Sequence, residues 1–144
     1  MTLEKCLYTI AVIASVVLLF FAAWGGFAVY DYFFPMAEAI TCPVNEEVTF
    51  ASLALNNSTI VQFEEAELVK LLEHFDAVTP TRKWSVQDYP TAKTYYIIEL
   101  HTENRLYRYF VYTEGTQVYV EHPYEGIYKA DPQILTFINE QLGE

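Results

Sequence analysis

Cysteine is scarce in this chain: 144 residues contain two, Cys6 and Cys42. Two cysteines exclude a disulfide framework and a cysteine-rich metal centre. Glycine is nearly as sparse, with five residues, of which Gly25 and Gly26 are adjacent. No glycine-rich, phosphate-cradling loop can be built from the rest. Positive charge is short as well. Lys and Arg number 8 against 19 Asp and Glu, a net charge of −11. That balance argues against nucleic acid and against adhesion to anionic headgroups. The three histidines, His74, His101 and His122, form no His-x-x-x-His pair. A zinc site needs about four converging ligands, so no metal and no cofactor is expected. The serines beyond residue 50 are Ser52, Ser58 and Ser85, and none sits in a Gly-x-Ser-x-Gly elbow. Carboxylates are plentiful, but a small domain without a deep cleft is a poor glycoside hydrolase. No catalytic residue is expected.

What the chain does have is one long apolar run. Cys6 to Tyr30 is 25 residues without a charge. As a helix it spans roughly 37 Å at about 1.5 Å per residue, more than the roughly 30 Å hydrocarbon layer. A lone segment in lipid must pair its own backbone groups, which requires a helix. Trp24, Tyr30 and Tyr32 fall where an aromatic belt meets the headgroups. A cleaved signal peptide has a shorter core, about 7–15 residues. Ala37-Glu38-Ala39 lies well past this one, and Cys42 is too far along, behind Thr41, for a lipoprotein site. A retained signal anchor is the expectation, with the bilayer as partner for residues 6–30. Lys5 precedes the run, while Asp31, Glu38, Glu46 and Glu47 follow it. The positive-inside rule then puts the N-terminus in the cytoplasm and the rest of the chain outside. Cys6 and Cys42 would lie on opposite sides of the membrane and could not bridge within one chain. Ala22 and Gly26 have the spacing of close-packed helices, a common feature of membrane helices that implies nothing by itself.

The organisation expected is a stub and signal anchor over 1–34, a linker over 35–46 broken by Pro35 and Pro43, and a domain over 47–144. The domain reads as α+β, with an antiparallel sheet of about five strands and two helices. Val48–Leu55 alternates with one slip between Phe50 and Leu53, suggesting a bulge, and turns at Asn56-Asn57 into a strand over 59–63. Residues 64–75 carry a helical period through Leu68, Leu71, Leu72 and Phe75. Residues 79–93 form the longest irregular stretch, a connector pinned by Trp84 and Val86. Strands over 94–101, 105–113 and 116–122 make a meander. Asp131 caps a last helix that Gly143 ends. One face of the meander presents Tyr96, Ile98, Leu100, Tyr107, Tyr109, Val111, Val118 and Val120, assigned to the helix-covered core.

Two segments carry a family signature: Ser85-Val86-Gln87-Asp88-Tyr89-Pro90 and Glu121-His122-Pro123-Tyr124-Glu125-Gly126-Ile127-Tyr128. With them the chain resembles a bacterial domain-of-unknown-function family, found mostly in Gram-positive bacteria on secreted or membrane-anchored proteins. The family pattern there is S-V-x-D-x-P and E-Q-P-Y-x-G-I-Y, so His122 stands in place of a glutamine. The resemblance implies domain identity and compartment from about residue 51 onward, and it implies no activity. On physical grounds alone, Pro123 ends a strand, Gly126 eases a turn, and Tyr124, Ile127 and Tyr128 fold back on the sheet edge.

The opposite face of the meander mixes Tyr95, Ile97, Leu106, Phe110, Tyr112 and Tyr119 with Glu99, Arg108 and Glu121. Tyr and Arg join apolar area to a polar handle and are enriched at interfaces. Tyr95, Arg108, Tyr112 and Tyr119, with Arg82 and Trp84 at the rim, are the expected partner-binding patch, unless the hairpin or the last helix covers it. The function expected is a non-catalytic module that recognises an extracytoplasmic protein or peptide. An accessory subunit acting through its span and a small envelope hydrolase are the alternatives.

Overall fold

The computed structural model describes residues 2–56 and 59–143. Asn57 of the expected turn, and Ser58, lie outside the described residues. The chain divides into two compact units, one ending at Pro35 and the other beginning at Met36. The first is α1 (Leu3–Phe33), long and apolar enough to cross a membrane, with none of its apolar stretch buried in protein. A signal sequence has the same features.

The second unit, the body, is α+β. Its strands are β1 (Val48–Leu55), β2 (Thr59–Gln62), β3 (Thr79–Pro80), β4 (Tyr96–Thr102), β5 (Leu106–Glu114), β6 (Gln117–His122) and β7 (Gly126–Ala130), and its helices are α2 (Glu65–Asp76) and α3 (Gln133–Leu142). A single 3-10 turn, Asn45–Glu47, precedes β1. The strands form one antiparallel sheet in the order β2-β1-β4-β5-β6-β7-β3. Among the described residues the sheet has seven strands where about five were expected, and with α1 the α-helices number three. β7 was hidden by Pro123 and Gly126, which read as a corner. Tyr124 takes the left-handed conformation there (φ 63°), Glu125 N–H closes the turn on His122 O, and the chain then runs back along β6. β3 is two residues, too short for any periodicity. Its Pro80 stands at the sheet's edge, where a missing N–H costs no ladder bond. The register shift in β1 lies between Val48 and Phe50, one step earlier than the alternation suggested.

Local signals set both helices of the body. Glu64 and Glu67 form a reciprocal capping box on α2, with Glu64 N–H donating to Glu67 Oε2 at 2.8 Å. Its buried stripe is Leu68, Leu71 and Phe75. Asp131 Oδ1 accepts the Gln133 N–H at the start of α3, and Gly143 closes it at φ 77°. Both helices cover the face predicted for them. Ile98, Leu100, Tyr109, Val111, Val118 and Val120 form one core with Leu53, Tyr128, Ile134 and Ile138, and Tyr96 and Tyr107 pack on its margin.

Residues 36–44, expected to be a free linker, are part of the body. Ala37, Ile40 and Cys42 pack on the main core, and Pro43 is buried. Ala37 N–H donates to Thr81 O at 2.9 Å, and Thr41 O accepts the Tyr109 hydroxyl at 2.5 Å. The strap passes so close to β7 that a Cβ on Gly126 would lie 2.7 Å from Ala37 Cβ. Gly126 is therefore required by this approach rather than by its own backbone angle. Gly126→Ala is expected to destabilise the body by about 1–3 kcal/mol, the range for overpacking. Ala37→Gly, added to it, is expected to recover part of the loss. Urea melts of the four combinations check this, and full additivity would show that the two residues do not meet.

Candidate functional site

The second face of the sheet follows from the register. Ile97 pairs with Phe110, Phe110 with Glu121, and Glu121 with Ile127. The next row is Tyr112, Tyr119 and Lys129. Paired residues share a side, so these rows stand together opposite the helices. Ile97, Phe110, Tyr112, Tyr119 and Ile127 are buried in a second core, with Ala54, Ala92 and Tyr95 against it. Tyr112 and Tyr119 retain 8% and 7% of their surface, so they are not an open recognition patch. The cover is neither the hairpin nor the last helix but the irregular loop, residues 81–95.

Polar contacts fix where that loop lies. Thr81 Oγ1 donates to Ile127 O at 2.6 Å, and Thr81 N–H donates to the same oxygen. Lys83 Nζ pairs with Glu114 and sits 4.2 Å above the Tyr119 ring, and the Glu114 contact raises the lysine's pKa. Ser85, itself buried, donates to the buried Glu121 Oε1 at 2.7 Å and accepts the Tyr124 N–H at 3.2 Å. Tyr124 O–H donates to Asp88 at 2.8 Å. Tyr89 closes the far end against Phe110, with ring centroids 5.6 Å apart. An aromatic cluster and four polar latches thus tie this loop to the sheet and to the β6–β7 turn. Burial also pushes the Tyr112 hydroxyl above its ordinary range, with the Glu121 carboxylate adding to the effect.

The pinning residues are the reverse of those expected. Trp84 and Val86 are 61% and 63% exposed, and Ser85 between them points inward. Trp84 stands at the mouth of an open cleft of about 520 Å³, lined also by Lys83, Thr91, Tyr112, Glu114 and Ile127. Of the expected patch, Trp84 and Tyr112 therefore meet at this cleft, and Tyr119 lies beneath Lys83. Tyr95 belongs to the buried cluster with Phe110. Arg108 is paired with Glu99 at 2.7 Å, farther along the sheet. Arg82 is half-buried at the start of the loop. Sequence reasoning missed Lys83, Ser85 and Glu121. The signal for two of them was present: Ser85 and Glu121 each sit in one of the two signature segments, and their contact is one of three hydrogen bonds that join those segments.

A second cluster sits at the β6–β7 turn. His122 is buried, with its ring 4.8 Å from Tyr109. Its Nδ1 is 2.9 Å from Glu125 Oε2, an ion-pair distance without hydrogen-bond geometry. Arg105 Nη2 holds the other oxygen of Glu125 at 2.9 Å. Burial lowers the imidazole's pKa, and Arg105 works in the same direction against Glu125. The nearby Cys42 thiol is pushed up to about 11 by burial. It is therefore protonated and unreactive at neutral pH. Among the described residues, no three His, Cys, Asp or Glu side chains group as a metal site.

Residues 36–129 match a family model described as "Domain of unknown function (DUF5300)". The chain belongs to this family of uncharacterised domains. The matched segment begins with the strap, at Met36, rather than with the first strand. The body is also similar to a protein from Ruminococcus gnavus whose structure was determined by NMR. The two are 29% identical, with a TM-score of 0.56, and the likeness covers 64% of this chain and 91% of that one. No curated protein matches.

Two outcomes test this geometry. Ser85→Ala deprives the buried Glu121 of its hydroxyl partner and is expected to cost about 1–3 kcal/mol. Amide exchange should accelerate over 82–89 while α2 stays protected, and uniform acceleration would mean the latch is not local. For His122, the folded pKa lies below the ordinary 6.5, so the unfolded chain binds the proton first. Its contribution is fully present above about pH 6.5 and is lost as pH falls below that value. His122→Gln is expected to flatten the stability–pH curve in that window, read by urea melts across pH. An unchanged slope would contradict the assignment.

Proposed function

We propose that the protein is a single-pass membrane protein with its N-terminus in the cytoplasm. Its body then lies outside, in the Gram-positive envelope suggested by the signature segments, and recognises a protein or peptide without catalysis. The observation that carries the recognition reading is Trp84, exposed at the mouth of a cleft on a loop tied down along its length. A large aromatic side chain held in place loses little entropy when it is covered, which is how interface hot spots are built. The cleft walls add Thr91 and Thr113 hydroxyls and the Lys83–Glu114 pair, enough to orient a peptide backbone. The length and apolarity of α1 support the tether.

The hydrolase alternative has one observation in its favour. His122 and Glu125 line a hollow with Asp88, Arg105 and Arg108. Against it, the hollow is only about 260 Å³, below the usual range for ligand sites, and no Ser or Cys lines it.

Trp84→Ala removes an exposed side chain and is expected to change stability by no more than about 0.5 kcal/mol. A photo-crosslinking residue at position 84, in intact membranes, is expected to give a discrete adduct that Thr113→Arg, inside the cleft, abolishes. The same residue at position 70, on α2, should give none. Equal adducts at both positions would refute recognition at this cleft.

A further inference from the structure

The two edges of the sheet are unlike. β3 closes one side with two residues, one of them Pro80. Natural sheets guard an edge in this way, with very short strands, proline, bulges or charge. β2, at the other end, is Thr59-Ile60-Val61-Gln62, with no proline and no charge. Its register with β1 runs unbroken, so no bulge turns it aside. Ile60 leaves 72% of its surface exposed. Residues 48–63 carry no charged side chain at all, and outside 6–30 no stretch as long is free of charge.

The register also decides which backbone groups β2 leaves over. Phe63 N–H donates to Ala51 O at 3.0 Å, so residues 51 and 63 form a hydrogen-bonded pair. Such pairs alternate with non-hydrogen-bonded ones along an antiparallel ladder. Leu53–Val61 and Leu55–Thr59 are then hydrogen-bonded, while Ser52–Gln62 and Ala54–Ile60 are not. The other side of β1 agrees. Asn56 N–H donates to Tyr95 O at 3.1 Å, in the phase that turns Ser52 and Ala54 toward β4. Ile60 and Gln62 therefore aim their N–H and C=O groups away from β1. Among the described residues, nothing bonds to them there.

A second copy of the chain supplies a matching edge. With the two strands antiparallel about Val61, Ile60 of each copy faces Gln62 of the other. Both pairs are hydrogen-bonded, and every outward group of the two residues is used. Val61 meets its own counterpart on the side of the sheet that Phe63 and the helices occupy. Charge selects this margin. Copies that each carry −11 repel where acids meet, and β2 brings none to the contact. The first acid past β2, Glu64, falls roughly 20 Å along the strands from its counterpart. That distance exceeds the screening length of about 8 Å at physiological salt.

We propose that β2 pairs antiparallel with β2 of a second copy of this chain, with Val61 on the two-fold axis. The two sheets become one. An isologous contact closes on itself and stops at two copies. The Trp84 cleft draws on β5 and β7, three or more strands from β2, so both clefts stay open and are carried as a pair. A contact between two such short strands is small, and small contacts are weak, so it is read best by trapping.

The test uses the full chain in detergent. Cys6→Ser removes one native thiol, and Cys42 stays, protonated at neutral pH. Val61→Cys sets two thiols on the axis, where Cα atoms of a non-hydrogen-bonded pair lie about 4.5 Å apart, within disulfide reach. Mild oxidation is expected to link these chains at least several times faster than Lys70→Cys chains, and the parent should not link. Ile60→Lys, added to Val61→Cys, sets like charges across the axis and should lower the yield by up to about fivefold. Gln62→Glu should act alike. Mixed together, the two variants set the new ammonium opposite the new carboxylate, and the mixed dimer should exceed its statistical share. Equal linking at 61 and 70, or a mixed dimer at its statistical share, would overturn the pairing. So would a chain that is dimeric by light scattering yet does not link at 61, since its contact lies elsewhere, as at Ala22 and Gly26 of α1. A photo-crosslinking residue at 61 that captures a foreign protein in intact membranes, and not this chain, would assign the edge to another strand and overturn the pairing too.

Discussion

An antiparallel sheet with apolar side chains on both faces has to be covered twice. Here α2 and α3 cover one face, and among the described residues the body has no third helix for the other. An irregular loop does the work instead. A loop has no periodic face of its own, so its position must be dictated residue by residue. Burial of Ile97, Phe110 and Ile127 supplies the larger share, roughly 1.5–3 kcal/mol per side chain. Each latch adds about 1 kcal/mol. The apolar area therefore holds the loop down, while the hydrogen bonds at Thr81, Ser85 and Asp88 decide which residues face in. That division explains why Ser85 is buried and its neighbours Trp84 and Val86 are not. A polar residue with a fixed partner overrides the ordinary preference of apolar residues for the interior.

The strap obeys a similar logic at the sheet's other cover. Residues 36–44 lack regular structure, yet they seal the margin of the main core beside Tyr109 and Tyr128. Tyr109 is fully buried as a ring, and its hydroxyl needs a partner, which Thr41 O provides. The family match starts at the strap, in agreement with this boundary.

The helices, the three central strands and the main core were legible because each has a period longer than its own irregularities. Leu68, Leu71 and Phe75 mark a helix face, and Ile98, Leu100, Tyr109 and Val111 mark a strand face. β7 was not legible, because Pro123 and Gly126 punctuate it and Gly126 serves a neighbour 89 residues earlier in sequence, Ala37. The strap was missed because two prolines look like a linker when nothing marks the tyrosine it serves. At the candidate site, Trp84 was expected as a buried pin and is exposed instead. Tyr112 and Tyr119 were singled out as exposed because charged neighbours share their face. Those charges prove to have partners within the body: Glu121 has Ser85, and Glu99 has Arg108. A mixed face signals an interface only when its charges remain unspent.

Glu121 is the most expensive of these choices. A buried carboxylate costs several kcal/mol before its partners are counted, and an apolar residue of similar volume is often the more stable substitute. The same position on β6 pairs with Phe110 and Ile127, so an apolar side chain would have fitted the second core without difficulty. What Glu121 adds is discrimination. Apolar cover tolerates sliding, since Val86 or Trp84 could fill the same space that Ser85 and its neighbours overlie. A buried acceptor accepts only a donor, and within 84–86 the serine hydroxyl is the one small side chain able to give it. The acid thus fixes the register of the loop, and with it the exposure of Trp84 on one side and of Val86 on the other. The cleft beside Trp84 depends on that polar contact, together with the latches at Thr81, Lys83 and Asp88.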